Sequence, residues 1–158
     1  MLLAKLQADL KEFIELLNSH GVEYLIVGGH AVAFHGHPRF TGDIDFFIRV
    51  TPANVQRLLA VLTDFGFGSL GITQSALLEP KRILQLGYPP NRIDILTSIS
   101  GVDFDSAWES RIESVMDDQR VIMIGWNELL QNKKAAGRRK DLADVEKLLA
   151  VARRKGAG

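Results

Sequence analysis

Two aspartates separated by one residue are the strongest chemical signal in this sequence. Asp43 and Asp45 flank Ile44 at the start of a predicted strand over residues 43–50. Alternate residues of a strand share one face, so the two carboxylates are expected to point the same way. Neighbouring carboxylates raise each other's pKa unless a cation lies between them, and Mg²⁺ takes such oxygen ligands together with substrate phosphates. The alternative is a solvated strand end, although the apolar residues that follow predict a strand that enters the core.

A glycine pair lies between a predicted strand and a predicted helix. Residues 22–27 are rich in strand-forming types, and residues 30–35 are typical of a short helix. Gly28 and Gly29 would let the backbone approach a ligand closely, and the free N–H groups of a helix N-terminus favour a phosphate. The pair predicts either an anion site or a tight turn without a ligand.

A third carboxylate lies in a later strand. Asp94 is flanked by Ile93 and Ile95 within residues 92–96. If this strand is central in the sheet, the carboxylate is buried and needs a partner or a metal ion. If one face of the strand is exposed, the same alternation directs Asp94 into solvent. The residues alone leave both interpretations open.

Three of the four histidines, His30, His35 and His37, lie close together in the sequence. This spacing raises the question of a zinc site, but His30 and His35 would diverge on a helix and no fourth ligand is evident. We therefore expect His35 to pack or to hydrogen-bond beside the following loop. The role of the three histidines stays open.

Alternating strands and helices must position these residues. Amphipathic periodicity predicts helices over residues 2–19, 30–35, 51–65, 104–111, 126–136 and 140–154. Strands are predicted over residues 22–27, 43–50, 82–86 and 92–96, with a hairpin of 112–116 and 120–124 across Asp117-Asp118-Gln119. Thr51 and Pro52 are typical of a helix N-cap and first helical position. The expected fold class is α/β (α+β), with a mixed β-sheet flanked by helices and a helical C-terminal end.

The composition is typical of one globular domain. The chain has 158 residues, of which 46% are apolar and 24% charged. The absence of cysteine excludes disulfides, a zinc ribbon and a thiol nucleophile. We expect a single domain over residues 1–158, with a core over about 22–125 and C-terminal helices over about 126–155. The charged N-terminal segment is unlike a signal peptide and no apolar run is long enough for a membrane span, which predicts a cytoplasmic protein without a membrane partner.

The charges are unevenly distributed along the chain. Nineteen basic and nineteen acidic residues cancel overall, yet residues 133–158 hold nine basic and three acidic residues. A basic C-terminal region therefore accompanies an acidic body. Zero net charge does not exclude a phosphate-rich partner here, because the carboxylates of the body could be neutralised by a metal ion.

The order of these motifs closely resembles the nucleotidyltransferase superfamily of the DNA polymerase β type. The shared pattern is a strand, Gly-Gly and a short helix, then Asp-x-Asp separated from the glycine pair by thirteen residues, and a later strand with one Asp. Residues 27–36 and 39–45 look closer still to the minimal bacterial members, which include the AbiEii-type toxin nucleotidyltransferases. Residues 133–144 are similar to the Lys-x-x-x-x-Arg-x-Lys-Asp-x-x-Asp segment of that group. The resemblance covers roughly residues 22–145.

Two departures from the relatives concern the surroundings of the site. Gly42 stands where the relatives often have Lys or Ser, which affects a contact but not a metal ligand. The chain also has little room for the separate acceptor-binding domain of larger members.

The resemblance implies transfer of a nucleoside monophosphate from an NTP to a hydroxyl, assisted by Mg²⁺ (or Mn²⁺). It makes Asp43, Asp45 and Asp94 both the catalytic residues and the metal ligands. The implied nucleotide- and phosphate-binding residues are Gly28, Gly29, Arg39, Thr41, Lys134, Arg138 and Lys140. Lys134 and Arg138 are four residues apart and would share a face if the helix is continuous. A solvated helix with a local Lys140–Asp144 pair is the alternative for the basic segment.

The acceptor and the partners stay open at this point. The acceptor hydroxyl could belong to an RNA 3′ end such as that of tRNA, to a protein side chain or to a small molecule such as an antibiotic. The resemblance to toxins adds a cognate antitoxin as an expected partner. A non-catalytic nucleotide-binding or partner-binding module on the same fold is the alternative, because a fold alone does not bring activity. The presence of all three aspartates and both glycines favours the enzyme.

Overall fold

Helices and strands alternate along the part of the chain that the computed structural model describes, which is residues 8–38, 42–88 and 91–157. The helices are α1 (Ala8–Ser19), α2 (Gly28–Phe34), α3 (Pro52–Asp64), α4 (Gln74–Leu78), α5 (Phe104–Glu109), α6 (Trp126–Ala136) and α7 (Arg139–Ala157). The strands are β1 (Tyr24–Val27), β2 (Ile44–Ile48), β3 (Ile83–Leu86), β4 (Ile93–Leu96), β5 (Ile112–Met116) and β6 (Gln119–Met123). Residues 2–7 of the first predicted helix lie outside the described residues.

The described strands form one mixed sheet in the order β3-β4-β2-β1-β6-β5. β1 is antiparallel to β2 and parallel to β6, and β4 is parallel to β2. β3 and β5 are antiparallel edge strands. The predicted α/β class, with a mixed sheet flanked by helices and a helical C-terminal end, is confirmed.

Helix α1 packs against one face of the central strands. The rings of Tyr24 and Phe46 meet edge to face at 5.5 Å, and Phe13 of α1 packs against Phe46 at 5.6 Å. α1 therefore covers the face of the sheet that carries Phe46. Because successive residues of a strand alternate between faces, Asp45 lies on the opposite face of β2. The candidate site thus lies on the face of β2 opposite to the one that α1 covers.

Local sequence signals set two of the element boundaries. The hydroxyl oxygen of Thr51 accepts a hydrogen bond from the Asn54 N–H at 3.2 Å, and Pro52 opens α3, so the predicted cap is confirmed. The predicted hairpin is tighter than expected. Asp117 and Asp118 both have positive φ and form the turn alone, and Gln119 already belongs to β6. Two left-handed turn residues match the twist of the paired strands.

Candidate active site

Neighbouring strands bring the three predicted carboxylates together. Asp45 of β2 and Asp94 of β4 are partners in register on adjacent parallel strands. Such partners present their side chains on the same face of the sheet. Asp43 precedes β2 by one residue, two positions before Asp45, and so belongs to the same face. The Asp94 side chain is only 10% exposed, so of the two interpretations left by the sequence, the buried carboxylate is correct.

Burial and crowding raise the pKa of Asp45 from its ordinary value of 3.8 to about 6. Loss of hydration is the largest cause, followed by the charge of Asp94, a hydrogen bond with Asp94 and the charge of Asp43; Lys133 opposes these effects. The carboxylates therefore repel one another, and a cation placed among them would relieve this repulsion.

Arg92 supplies a cation to this cluster from within the chain. Its Nε donates to Asp94 Oδ1 at 2.7 Å and its Nη2 to Asp94 Oδ2 at 3.0 Å. The same Nη2 lies 3.7 Å from Asp43 Oδ2. The backbone N–H of Arg92 also donates to Asp43 Oδ1 at 3.0 Å. Arg92 was not among the residues predicted from the sequence, because only the register of β2 and β4 brings it to Asp43.

The donor set fits a divalent cation, although no ready-made metal cage is present in the described ranges. No three His, Asp or Glu side chains there are arranged to enclose an ion as they stand, and both oxygens of Asp94 are bonded to Arg92. Mg²⁺ needs only one or two protein carboxylates, because water and substrate phosphates complete its coordination. Asp43 and Asp45 are the residues that would hold it.

Gly28 lets the N-terminal end of α2 approach the carboxylates. This residue has a φ of 70°, and a Cβ added to it would overlap Oδ2 of Asp45 and lie 3.1 Å from its Cγ. α2 begins at Gly28, two residues earlier than predicted, and Val27 before it provides no side-chain cap. The first turn of α2 therefore has no side-chain cap, and its residues Gly28 and Gly29 line the cleft. Of the two interpretations of the glycine pair, this placement suits an anion site.

Buried ion pairs join α6 and α7 at the edge of the cleft. Lys133 of α6 is 7% exposed, and its Nζ lies 3.4 Å from Asp141 Oδ1 and 3.1 Å from Asp144 Oδ2. Arg138 Nε donates to Asp141 Oδ2 at 2.7 Å. Burial alone would raise the pKa of Asp141, but the hydrogen bond from Arg138 and the charges of Lys133 and Arg138 hold that pKa below its usual range. Arg138 and Lys140 line the cleft, whereas the Asp144 carboxylate contacts Lys133.

The shared helix face expected for Lys134 and Arg138 does not exist. α6 ends at Ala136, Gly137 adopts the left-handed conformation with a φ of 67°, and α7 begins at Arg139. This break turns the chain between the two residues, and Lys134 is exposed and is not part of the cleft lining. Lys133 takes the inward position instead. The Lys-x-x-x-x-Arg spacing already aligned Lys133 with Arg138, so that pattern was the signal that could have identified it.

The carboxylates, the glycines and the basic helices surround an open cleft of about 740 Å³. Its lining also includes polar groups that the sequence did not identify: Lys81, Gln85, Ser98, Ser100 and Asn132. On the same side lies an apolar strip of Ile83, Leu96 and Ile99. The volume is in the range of small-molecule sites. Arg39 and Thr41, the remaining predicted phosphate-binding residues, lie outside the described residues.

The histidines near the cleft differ in environment. His30 is 5% exposed, and neither ring nitrogen has a partner in the described part of the chain. Burial lowers its pKa to about 4, against a smaller raising effect of Asp43. The His35 Nε2 lies 2.8 Å from the carbonyl oxygen of Ile124, so this ring makes the hydrogen bond expected of a packing residue.

None of the helices in residues 8–38, 42–88 and 91–157 has both the length and the apolar character that crossing a bilayer requires.

Solved structures share the fold of this chain. A candidate nucleotidyltransferase from Thermotoga maritima superposes with a TM-score of 0.58 at 14% identity, covering 89% of this chain and 90% of that chain. An antigenic nucleotidyltransferase-like protein from Paracoccidioides brasiliensis superposes with a TM-score of 0.53 at 18% identity. The match covers 92% of this chain and 78% of that chain. The lincosamide antibiotic adenylyltransferase LnuA, with lincomycin bound, superposes with a TM-score of 0.53 at 16% identity. The match covers 92% of this chain and 98% of that chain. At these identities the likeness is one of fold.

Sequence comparison identifies the family. No curated protein sequence matches the chain significantly. The family described as "Nucleotidyltransferase of unknown function (DUF6036)" matches residues 3–153, nearly the whole length. The Asp-x-Asp motif and the Gly-Gly pair thus lie in a chain that belongs to the DUF6036 family of nucleotidyltransferases.

Proposed function

We propose that this protein transfers a nucleoside monophosphate from an NTP to a hydroxyl acceptor with the help of Mg²⁺ or Mn²⁺. One observation carries the proposal: Asp45 and Asp94 lie in register on adjacent strands, with Asp43 on the same face. The same cleft is lined by Gly28 and Gly29. Family membership supports nucleotidyl transfer in general.

Different residues of the cleft would bind the nucleotide and the acceptor. Asp43 and Asp45 would hold the divalent ion, which when bound neutralises phosphate charge and polarises the α-phosphate. The N–H groups at Gly28 and Gly29 would bind the β- and γ-phosphates, with Arg138 and Lys140 as further cations. Asp94 would orient the acceptor hydroxyl and take its proton once the Arg92 side chain, which binds both of its oxygens, rotates away. The acceptor oxygen bonds to the α-phosphorus as the bond to the pyrophosphate oxygen breaks, and pyrophosphate leaves.

A small molecule with an apolar part is the acceptor that the cleft suits best. Ile83, Leu96 and Ile99 form an apolar strip within the cleft, and Ile83 is 61% exposed. Exposed apolar side chains beside reactive polar groups favour a ligand that covers them. The fold neighbour named as a lincosamide adenylyltransferase also acts on a small molecule. An RNA 3′ end and a protein side chain stay as the other two acceptor classes to be tested.

The cellular setting belongs to the same proposal. A likeness to AbiEii-type toxins would make the protein a cytoplasmic toxin with a cognate antitoxin. Co-expression with the product of the adjacent gene tests this: suppression of growth inhibition together with a stable complex would support an antitoxin.

Label transfer from α-³²P-NTPs tests the activity directly. The protein is incubated with each of the four nucleotides, Mg²⁺ or Mn²⁺, and in parallel with tRNA, a protein mixture or lincosamide-type small molecules. We expect label on one acceptor class. Asp43→Asn/Asp45→Asn should lower transfer by about 10²–10³-fold, because electrostatic stabilisation of the transferring phosphoryl group is lost.

Asp118→Asn is the matched control, since it makes the same chemical change at an exposed turn residue. This variant should transfer label at the wild-type rate. Absence of transfer with every nucleotide and acceptor, or equal transfer by the double variant and the wild type, would show that the proposed chemistry is wrong.

A further inference from the structure

We propose that the Arg92 guanidinium occupies the place that a second divalent ion would take at Asp94, so that the nucleotide-free cleft binds a single divalent ion per chain. This inference rests on the proposed metal-dependent function. It assigns Arg92 as a positioning residue that controls how many ions the three carboxylates accept.

Arg92 binds the two carboxylate oxygens of Asp94 that a second ion would need. The guanidinium binds both oxygens of Asp94, at 2.7 and 3.0 Å, in the two-pronged geometry that makes arginine–carboxylate pairs strong. Its Nη2 reaches to 3.7 Å from Asp43 Oδ2. An ion bound directly by Asp94 needs one of the same oxygens, so the guanidinium and that ion compete for one place.

Charge balance favours one ion while Arg92 stays in place. Three ionised carboxylates carry three negative charges, and the guanidinium reduces this to two, which a single divalent cation neutralises. Lys133, which is buried at the edge of the cleft, contacts Asp141 and Asp144, two further carboxylates. Arg92 therefore sets the charge available to metal at Asp43, Asp45 and Asp94.

The Arg92 side chain can release Asp94 without disturbing the sheet. Its backbone is fixed on both sides, since its N–H donates to Asp43 Oδ1 and its carbonyl oxygen accepts from the Ile44 N–H, both at 3.0 Å. Its side chain is 26% exposed. Only side-chain rotation is needed to release Asp94, and a released guanidinium remains beside the cleft, where nucleotide phosphates would attract it.

Mn²⁺ titration followed by the EPR signal of free Mn²⁺ tests the proposal without nucleotide or acceptor. Wild type should bind one Mn²⁺ per chain. Arg92→Gln should bind two, or bind the first at least about tenfold more tightly, because a unit positive charge a few ångström from the ion is removed. Arg82→Gln is the matched control, since Arg82 is paired with Glu79 and does not line the cleft. It should bind as wild type does.

A second measurement uses the unaltered protein and so does not depend on a variant that folds. The Nε–H signal of Arg92 in a ¹H–¹⁵N spectrum should persist after one equivalent of Mg²⁺. Loss of this signal with the first equivalent overturns the proposal. So does wild-type protein that binds two Mn²⁺, or Arg92→Gln that binds Mn²⁺ with wild-type affinity and number. Label transfer can fail while Arg92→Gln still tightens Mn²⁺ binding, and this outcome would count against the proposed function alone.

Discussion

The backbone of Gly28 passes so close to the carboxylate of Asp45 that no side chain fits between them. The start of α2 and the middle of the candidate metal site are therefore in direct contact. Because this contact joins β1 to the first turn of α2 and to β2, a change at Gly28 affects stability and the site together.

Gly28→Ala should destabilise the protein and displace Asp45. A left-handed φ costs a non-glycine residue about 1–2 kcal/mol, and the overlap with Oδ2 adds to this cost. We expect a total loss of about 2–4 kcal/mol in urea unfolding and about 10²-fold slower label transfer, since misplaced reacting groups are costly.

Gly21→Ala separates the two effects. Gly21 has a φ of 71°, but a Cβ there would meet no atom within 4 Å. This variant should show only the backbone cost, with normal label transfer. Equal unfolding free energies for the two variants would contradict a clash at Asp45.

Asp45→Asn should stabilise the metal-free protein at neutral pH. The pKa of Asp45 is raised to about 6 in the folded protein, so its contribution to stability is fully present below about pH 4 and is lost as the pH rises through 6. Relative to wild type in EDTA, the variant should gain about 1–3 kcal/mol at pH 7.5, and the gain should disappear by pH 4. Chemical unfolding between pH 4 and 8 measures this difference; Asp118→Asn should show no such trend.

Added Mg²⁺ should make wild type more stable than Asp45→Asn at pH 7.5, the reverse of their order without metal. An ion that binds the folded state alone stabilises it in proportion to the logarithm of its concentration. Wild type should therefore gain stability with added Mg²⁺ and Asp45→Asn should gain little. An equal gain for both proteins would exclude Asp45 as a ligand.

Lys133→Met should be strongly destabilising, whereas Lys134→Met should be nearly neutral. Lys133 contacts two buried carboxylates, Asp141 and Asp144, and its loss leaves both without that charge partner. Breaking a buried pair from one side typically costs about 3–5 kcal/mol, while exposed substitutions stay within about 0.5 kcal/mol. Thermal and urea unfolding of the two variants check the contrast, and adding Asp144→Asn to Lys133→Met should restore part of the loss.

His30 should make the fold sensitive to acid. Burial lowers the pKa of His30 from its ordinary value of 6.5 to about 4. The stability that the neutral ring contributes is therefore present above pH 6.5 and is lost as the pH falls toward 4. His30→Leu should lie within about 1 kcal/mol of wild type at pH 7.5, because the ring nitrogens have no partner among the described residues. Between pH 6.5 and 4 it should become more stable than wild type by about 2–3 kcal/mol. Parallel pH profiles for the two proteins would contradict a buried neutral His30.

Local sequence patterns determined much of the fold and part of the site. Thr51 and Pro52 predicted the start of α3 because capping depends on neighbouring residues only. The two-residue period of a strand placed Asp43 and Asp45 on one face for the same reason. The order of strands, glycines and aspartates also carried the resemblance that family membership supports.

Tertiary structure alone decided which of these groups meet. The register of β2 against β4 sets Asp45 beside Asp94 and brings Arg92 to Asp43, and no local periodicity encodes the pairing of distant strands. The left-handed turn at Gly137 likewise removes the helix face that Lys134 and Arg138 would have shared, because a helix break redirects every side chain that follows it. The sequence by itself therefore determined the types of groups and their local faces, and the packing of remote segments determined their partners and charges.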